Sequence, residues 1–109
     1  MSAGGEAGHP ELRAALIAAL DERAPRVDRD RVAACFDFAD KAHAGQTRES
    51  GKPYISHAVA VVMILLDLLE GRLETALACG ALLHDVVEDT PLTSEDIEKR
   101  FGKEVASLV

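Results

Sequence analysis

The composition and the spacing of apolar residues predict an all-α fold. Aromatic residues make up only 4% of the chain and Trp is absent, whereas β-strands are enriched in aromatic and β-branched side chains. Hydrophobic residues account for 48% and charged residues for 28% of the 109 residues, which is typical of a folded domain rather than a disordered chain. This length suffices for one small domain, so we expect five or six helices around one core.

Turn and capping residues predict where the helices begin and end. The helix from Ala58 to Leu69 is apolar on nearly every side, which predicts a position in the middle of a bundle. The next helix is predicted from Glu74 to about Asp85, and residues 86–90 either continue it or turn. The predicted helix-starting residues are Pro10, Asp28, Ser56 and Thr93, and the predicted ends lie at Pro25, Gly45, Gly71 and Gly102.

The net charge and the apolar runs exclude some classes of partner. A net charge of -7 argues against nucleic-acid binding through a broad basic face. The longest apolar run, residues 58–66, is much shorter than the roughly 20 residues of a membrane span, and the first residues do not resemble a secretory signal. We therefore expect a cytoplasmic protein with no membrane partner. Cys35 and Cys79, each on an apolar run, are predicted to be buried reduced thiols.

Three polar features lie on or beside the apolar helices: His57 at a helix start, the pair His84-Asp85, and the pair Glu88-Asp89. Burying a His and an Asp is costly unless each has a partner, and one divalent cation would satisfy both. If the helix continues, all four polar residues from His84 to Asp89 share one side of it. Two antiparallel helices could bring His57 to the same place, because helical bundles build metal sites in their interior.

The loop before His57 contains two cations that could contact a nucleotide. Arg48 can stack on a base or bind phosphate in a bidentate manner, and Lys52 follows four residues later. Each candidate also has an ordinary structural interpretation. A single His at a helix start is more often a surface or capping residue, an acidic pair at a helix end is usually solvated, and loop cations are usually surface charges.

Four strings of residues together resemble the hydrolase domain of the RelA/SpoT family. They are FADKAHAGQ from Phe38, SGKPYISH from Ser50, ALLHDVVEDT from Ala81 and IEKRFGKEV from Ile97. The resemblance covers residues 32–109 and implies an HD-domain helical bundle with one metal ion, usually Mn²⁺, other divalent metals being alternatives. The implied reaction removes the 3′-pyrophosphate of (p)ppGpp, the guanine-nucleotide alarmone of the stringent response, and yields GDP or GTP.

The resemblance also implies a role for individual residues. The implied metal ligands are His57, His84 and Asp85, and the acidic pair that works beside the metal corresponds to Glu88 and Asp89. The nucleotide-contacting Arg corresponds to Arg48. Many members have Lys at the next position, where this chain has Glu49, so Lys52 is expected to supply the second phosphate contact.

The family takes its fourth metal ligand, an Asp, from a later helix than any in this sequence. We therefore expect an HD bundle that is incomplete at its C-terminus, with residues 1–31 forming a flexible N-terminus and leading helix and residues 32–109 forming the N-terminal part of the hydrolase domain. The expected context is a fragment of a longer enzyme, with downstream synthetase and regulatory domains or self-association; a truncated gene product without activity is the alternative. Two other functions stay open: an HD phosphohydrolase for another nucleotide, and an inactive module that binds a nucleotide or a partner.

Overall fold

The computed structural model describes residues 9–44, 46 and 51–109, and no β-strand occurs among them. The prediction of an all-α fold is confirmed. A short 3₁₀ turn, Glu70–Arg72, separates the third helix from the fourth. The helices are α1 (Pro10–Arg23), α2 (Arg29–Ala42), α3 (Tyr54–Leu69), α4 (Thr75–Asp89), α5 (Ser94–Phe101) and α6 (Lys103–Leu108).

Local capping chemistry sets three helix starts where the sequence predicts them. Pro10 occupies the first turn of α1, where its missing N–H costs nothing. The Asp28 carboxylate accepts a hydrogen bond from the Arg31 amide at 3.2 Å and begins α2. Thr93 and Asp96 form a reciprocal capping box at α5, and the hydrogen bonds from Thr93 to the Asp96 carboxylate lower the pKa of that group.

The predicted bounds of α3 are wrong by about a turn at its start. Helix α3 begins at Tyr54 with Pro53 as its N-cap, not at His57 with Ser56 as the cap. The reason is that the Pro53 carbonyl already accepts a hydrogen bond from the Ser56 amide at 3.2 Å. At the other end α3 stops at Leu69, because Glu70 adopts a φ of 52° before Gly71 is reached. Helix α2 ends at Ala42, and its predicted stop, Gly45, lies outside the described residues.

The central position belongs to α4 rather than to α3, which corrects the expectation from the sequence. Helix α4 packs against α2, α3 and α6, whereas α3 leaves Ile64 57% and Leu68 69% exposed. The apolar composition of α3 therefore does not determine how much of it is buried. Its burial depends on which helices pack against each of its faces. By length and composition alone, the helical stretch Tyr54–Arg72 could also cross a membrane, a test that core helices of soluble proteins pass as well.

Small residues in the middle of α4 allow close packing around it. They are Ala78, Cys79, Gly80 and Ala81, all of which are buried. A Cβ built on Gly80 would lie 3.1 Å from the Cβ of Leu108, so a larger residue at this position would require Leu108 of α6 to move by a few tenths of an ångström. This packing fixes the axis of the helix that bears His84 and Asp85.

Helix α1 joins the same core, with Leu16 and Leu20 completely buried against α2 and α3. The predicted division into residues 1–31 and 32–109 stays a prediction. Residues 1–8, for which the sequence predicts mobility, lie outside the described residues.

The two cysteines are free and buried, as predicted. The hydrogen bond between the two thiols, together with burial, raises the pKa of Cys35, and the same hydrogen bond lowers the pKa of Cys79. Both side chains are nevertheless fully buried in the core, out of reach of a reagent. We therefore expect neither thiol of the native protein to react with iodoacetamide at pH 7.5, because alkylation requires an accessible thiolate. Mass spectrometry before and after unfolding in guanidinium checks this, and a labelled thiol in the native protein would contradict it.

Candidate metal centre

Helices α3 and α4 bring His57, His84 and Asp85 together. His57 lies in the first turn of α3, and the His84-Asp85 pair lies near the end of α4. The imidazole rings of His57 and His84 have centroids 5.6 Å apart, so residues near opposite ends of their helices are neighbours. The two helices therefore run antiparallel, as the sequence predicts, and their apolar faces place the polar groups at one end of the bundle.

The carboxylate of Asp85 lies between the two imidazoles. Its Oδ1 is 3.3 Å from Nε2 of His84, and its Oδ2 is 3.9 Å from Nε2 of His57. One ligand atom from each residue can be chosen so that all three lie within 4.8 Å of one another. Two imidazole nitrogens and one carboxylate oxygen are a donor set that suits divalent first-row metals. The residues present therefore fit a divalent cation.

The protonation of His84 is determined by a backbone contact. Its Nδ1 lies 2.7 Å from the carbonyl oxygen of Ala81. A carbonyl can only accept, so Nδ1 carries the proton and donates it to that oxygen. In the neutral ring this leaves a lone pair on Nε2, the atom that faces Asp85. Imidazole ligands in metal sites are commonly oriented by such a hydrogen bond.

The three side chains are accessible to a ligand without being fully exposed. The exposed fractions are 33% for His57, 35% for His84 and 20% for Asp85. Partial burial raises the cost of leaving the Asp85 carboxylate without a cation, and partial exposure leaves room for a substrate. The cluster combines the two properties that a catalytic centre needs.

The acidic pair lies one helical turn beyond the cluster. Helix α4 continues to Asp89, so the first of the two alternatives for residues 86–90 is confirmed. Glu88 follows His84 by four residues and Asp89 follows Asp85 by four, and both acidic side chains are exposed. The spacing places each on the side of α4 that bears its predecessor. Their catalytic roles stay predictions.

Of the two loop cations, Lys52 and Arg48, only Lys52 is among the residues that the structure describes. Lys52 is exposed and lies two residues before Tyr54, the first residue of α3. Arg48 lies outside the described residues. Their predicted contacts with the nucleotide stay predictions.

The structure reveals a group beside this centre that the sequence did not single out. His43, for which the sequence predicted no role of its own, is buried with 6% exposed and stacks on Tyr54 with ring centroids 4.7 Å apart. Its Nδ1 is 3.2 Å from Oε1 of Gln46, and Nε2 of Gln46 donates to the Asp89 carbonyl at 3.3 Å. The only signal in the sequence was that His43 and Gln46 stand inside the string FADKAHAGQ.

Comparison with known proteins gives a consistent set of relatives. A family model described as an HD domain matches residues 35–109. The chain is 51% identical over 79 residues to the bifunctional (p)ppGpp synthase/hydrolase SpoT of Escherichia coli K12, covering 72% of this chain and 11% of that protein. It is 55% identical over 74 residues to a probable guanosine-3′,5′-bis(diphosphate) 3′-pyrophosphohydrolase of Synechocystis, covering 68% and 9% respectively.

A third relative is named for a different activity. The chain is 43% identical over 94 residues to a probable GTP pyrophosphokinase of Mycobacterium leprae, covering 86% of this chain and 12% of the relative. The chain thus spans about a tenth of the length of the curated relatives it matches. Synthase and hydrolase names both occur among proteins that share this region.

Proposed function

Because the chain belongs to the HD domain family, we propose that it carries the metal-binding residues of a hydrolase that removes the 3′-pyrophosphate of (p)ppGpp. Its relatives include proteins named for that hydrolysis, and the resemblance to the RelA/SpoT hydrolase domain is confirmed. The substrate is inferred for this chain from those names alone, since the chain covers about a tenth of each relative.

One observation carries the proposal: His57, His84 and Asp85 converge from two helices while a backbone hydrogen bond leaves Nε2 of His84 available as a donor. A solvated surface cluster requires no such arrangement. A histidine that merely filled the core would be more deeply buried than 35% exposed. The convergence of the three side chains, rather than any one of them, therefore supports a cation site.

In the proposed chemistry, water attacks the phosphorus bound to the ribose 3′ oxygen. The bond between that phosphorus and the 3′ oxygen breaks, which releases pyrophosphate and leaves the nucleoside 5′-di- or triphosphate with a free 3′ hydroxyl. A divalent cation, when bound, supplies Lewis acidity and lowers the pKa of water. Glu88 or Asp89 accepts the proton of the attacking water. Lys52 and Arg48 contact the phosphates of the substrate, which offsets the repulsion between a polyanion and a chain of net charge -7.

The metal is proposed to be Mn²⁺, one ion per chain, because mixed imidazole and carboxylate ligands suit it. We also propose a cytoplasmic location, which two buried free thiols support because reduced cysteines are usual in that compartment. Downstream synthetase or regulatory regions are proposed partners, since at least one relative is named as a bifunctional synthase/hydrolase.

The proposal is tested by measuring pyrophosphate release from ppGpp by the 109-residue chain. We expect release with Mn²⁺ and none with a chelator, and we expect ³¹P NMR to show GDP with its 5′-diphosphate intact. The matched control is Asp85→Asn, which keeps the side-chain shape but removes the anionic ligand. Equal release from the wild-type chain and this variant would assign the activity to a contaminant and contradict the proposal.

Two other outcomes would support the alternative functions. Inactivity on ppGpp together with turnover of deoxynucleoside triphosphates or cyclic dinucleotides would indicate an HD phosphohydrolase of different specificity. Failure to bind any divalent cation, measured by calorimetry on the folded chain, would indicate a non-catalytic module. Metal binding without turnover would leave the cation site standing and exclude hydrolysis by these residues alone.

A further inference from the structure

A buried histidine outside the metal cluster connects the ends of three helices, two of which bear the residues of the candidate centre. His43 is the C-terminal cap of α2, Tyr54 is the first residue of α3, and Asp89 is the last residue of α4. The His43 ring stacks on Tyr54 with an interplanar angle of 11°, and Gln46 links it to the Asp89 carbonyl. These contacts join the start of the helix bearing His57 to the end of the helix bearing Glu88.

The Asp89 carbonyl determines the direction of both side-chain hydrogen bonds that link His43, Gln46 and Asp89. The Asp89 carbonyl can only accept, so the Gln46 amide must present its nitrogen to it, at 3.3 Å. The oxygen of the same amide therefore faces His43, and Nδ1 of His43 must carry the proton that it donates across 3.2 Å. The backbone amide of Gln46 also donates to the His43 carbonyl at 2.9 Å, which holds the two residues in register.

The end of α4 needs such a donor more than most helix ends do. The last carbonyl groups of a helix have no partner within it, and α4 has no basic residue in its last turn. It carries Glu88 and Asp89 there instead, and their charges oppose the negative end of the helix dipole. The Gln46 amide donates to one of those carbonyls. Without it the last turn of α4 would lose one of its stabilising contacts.

We propose that His43 is a positioning residue: acting through Gln46 and Tyr54, it holds the acidic last turn of α4 at a fixed distance from His57. The proposed role requires no direct contact of His43 with the metal-binding atoms or the substrate. Its kinetic consequence rests on the proposed function, because it assumes that Glu88 or Asp89 takes part in hydrolysis. Its structural consequence, a protonated Nδ1 and an ordered α4 terminus, does not depend on that function.

The structural consequence is tested by ¹⁵N NMR of the histidine side chains in the 109-residue chain at pH 8. We expect the pattern of a ring protonated at Nδ1 for His43, and we expect Gln46→Ala to change that pattern. We also expect His43→Phe and Gln46→Ala to speed hydrogen exchange severalfold at the Thr90 amide, which donates to Val86 in the last turn of α4. A ring protonated only at Nε2, or unchanged Thr90 exchange in both variants, would overturn the proposal.

The kinetic consequence is tested with His43→Phe, which keeps an aromatic ring against Tyr54 but removes the donor. We expect kcat for pyrophosphate release to fall about tenfold or more, as small displacements of reacting groups commonly cause, while KM and the affinity for Mn²⁺ change less than about twofold. Gln46→Glu, which has the same shape but cannot donate to the Asp89 carbonyl, should have the same effect. Loss of Mn²⁺ binding, or unchanged kcat in both variants, would overturn the positioning role.

Failure of this proposal and failure of the proposed function give different results. If the wild-type chain releases no pyrophosphate, hydrolysis by these residues alone is excluded, and the NMR and exchange measurements alone decide the role of His43. If the wild-type chain is active and the two variants match it, only the positioning role fails.

Discussion

Replacing His84 with alanine should abolish tight binding of a divalent cation and, with it, metal-dependent hydrolysis. His84 supplies one of the three donors that converge in the structure, and its Nε2 is held ready by the hydrogen bond from Nδ1 to Ala81. Loss of residues that only orient ligands already costs about 10–100-fold in affinity, so loss of a ligand should cost at least about 100-fold. The exposed fraction of 35% means that the substitution leaves no buried cavity, and the chain should still fold.

Calorimetric titration with Mn²⁺ measures this effect directly, and thermal unfolding measures it independently. A ligand at 100 times its Kd stabilises the folded state by about 2.7 kcal/mol, which raises the Tm of a domain of this size by roughly 10 °C or more. Mn²⁺ should therefore raise the Tm of the wild-type chain and leave that of His84→Ala unchanged.

The matched control for His84→Ala is His9→Ala, the same substitution at a histidine that pairs with Asp40 and is not among the three converging residues. Its affinity for Mn²⁺ should equal that of the wild-type chain. Equal affinity in all three proteins would show that the cation binds elsewhere, and the assignment of the centre would then be wrong.

Helix starts could be predicted from the sequence because the interactions that cause them are local. The cap at Asp28 and the capping box of Thr93 and Asp96 each involve residues three apart, so a short string of residues contains the whole interaction. The start of α3 could not be predicted in this way. Ser56 is also a good capping residue, and the choice between it and Pro53 depends on the backbone conformation of the preceding loop.

The burial of α3 and the contacts of His43 depend on how the helices pack, which a sequence does not display. The exposure of Ile64 and Leu68 follows from which helices lie against α3, although the residues themselves are those of a central helix. Likewise the link from His43 through Gln46 to Asp89 joins residues that are distant in the chain and requires α2 and α4 to end side by side.

The metal ligands were predictable for a different reason. Histidine and aspartate are rare next to runs such as Leu82-Leu83 unless something compensates their burial, and the resemblance of four strings to one family implied the same residues as ligands. The geometry of α3 and α4 then brings His57 to the pair. Spacing alone, by contrast, could not separate a metal ligand from a proton acceptor among the four polar residues from His84 to Asp89.

The substitution Glu88→Gln should distinguish a metal ligand from a proton acceptor. It keeps the shape and length of the side chain and removes its charge and its ability to accept a proton. If Glu88 accepts the proton of the attacking water, kcat should fall about 100-fold or more, within the range of general-base contributions. The affinity for Mn²⁺ should stay within about twofold of the wild-type value. The exposure of Glu88 makes a loss of folding an implausible cause of the lower rate.

The kinetic measurement is pyrophosphate release at saturating ppGpp and Mn²⁺, paired with calorimetry on the same protein. The control is Glu95→Gln, an identical charge change at an exposed position in the first turn of α5, which should leave kcat unchanged. Loss of Mn²⁺ binding in Glu88→Gln would make Glu88 a ligand, adding a fourth donor to the cluster from within this chain. Unchanged kcat with unchanged affinity would instead leave Asp89, one residue further along α4, as the remaining acidic candidate for proton acceptor.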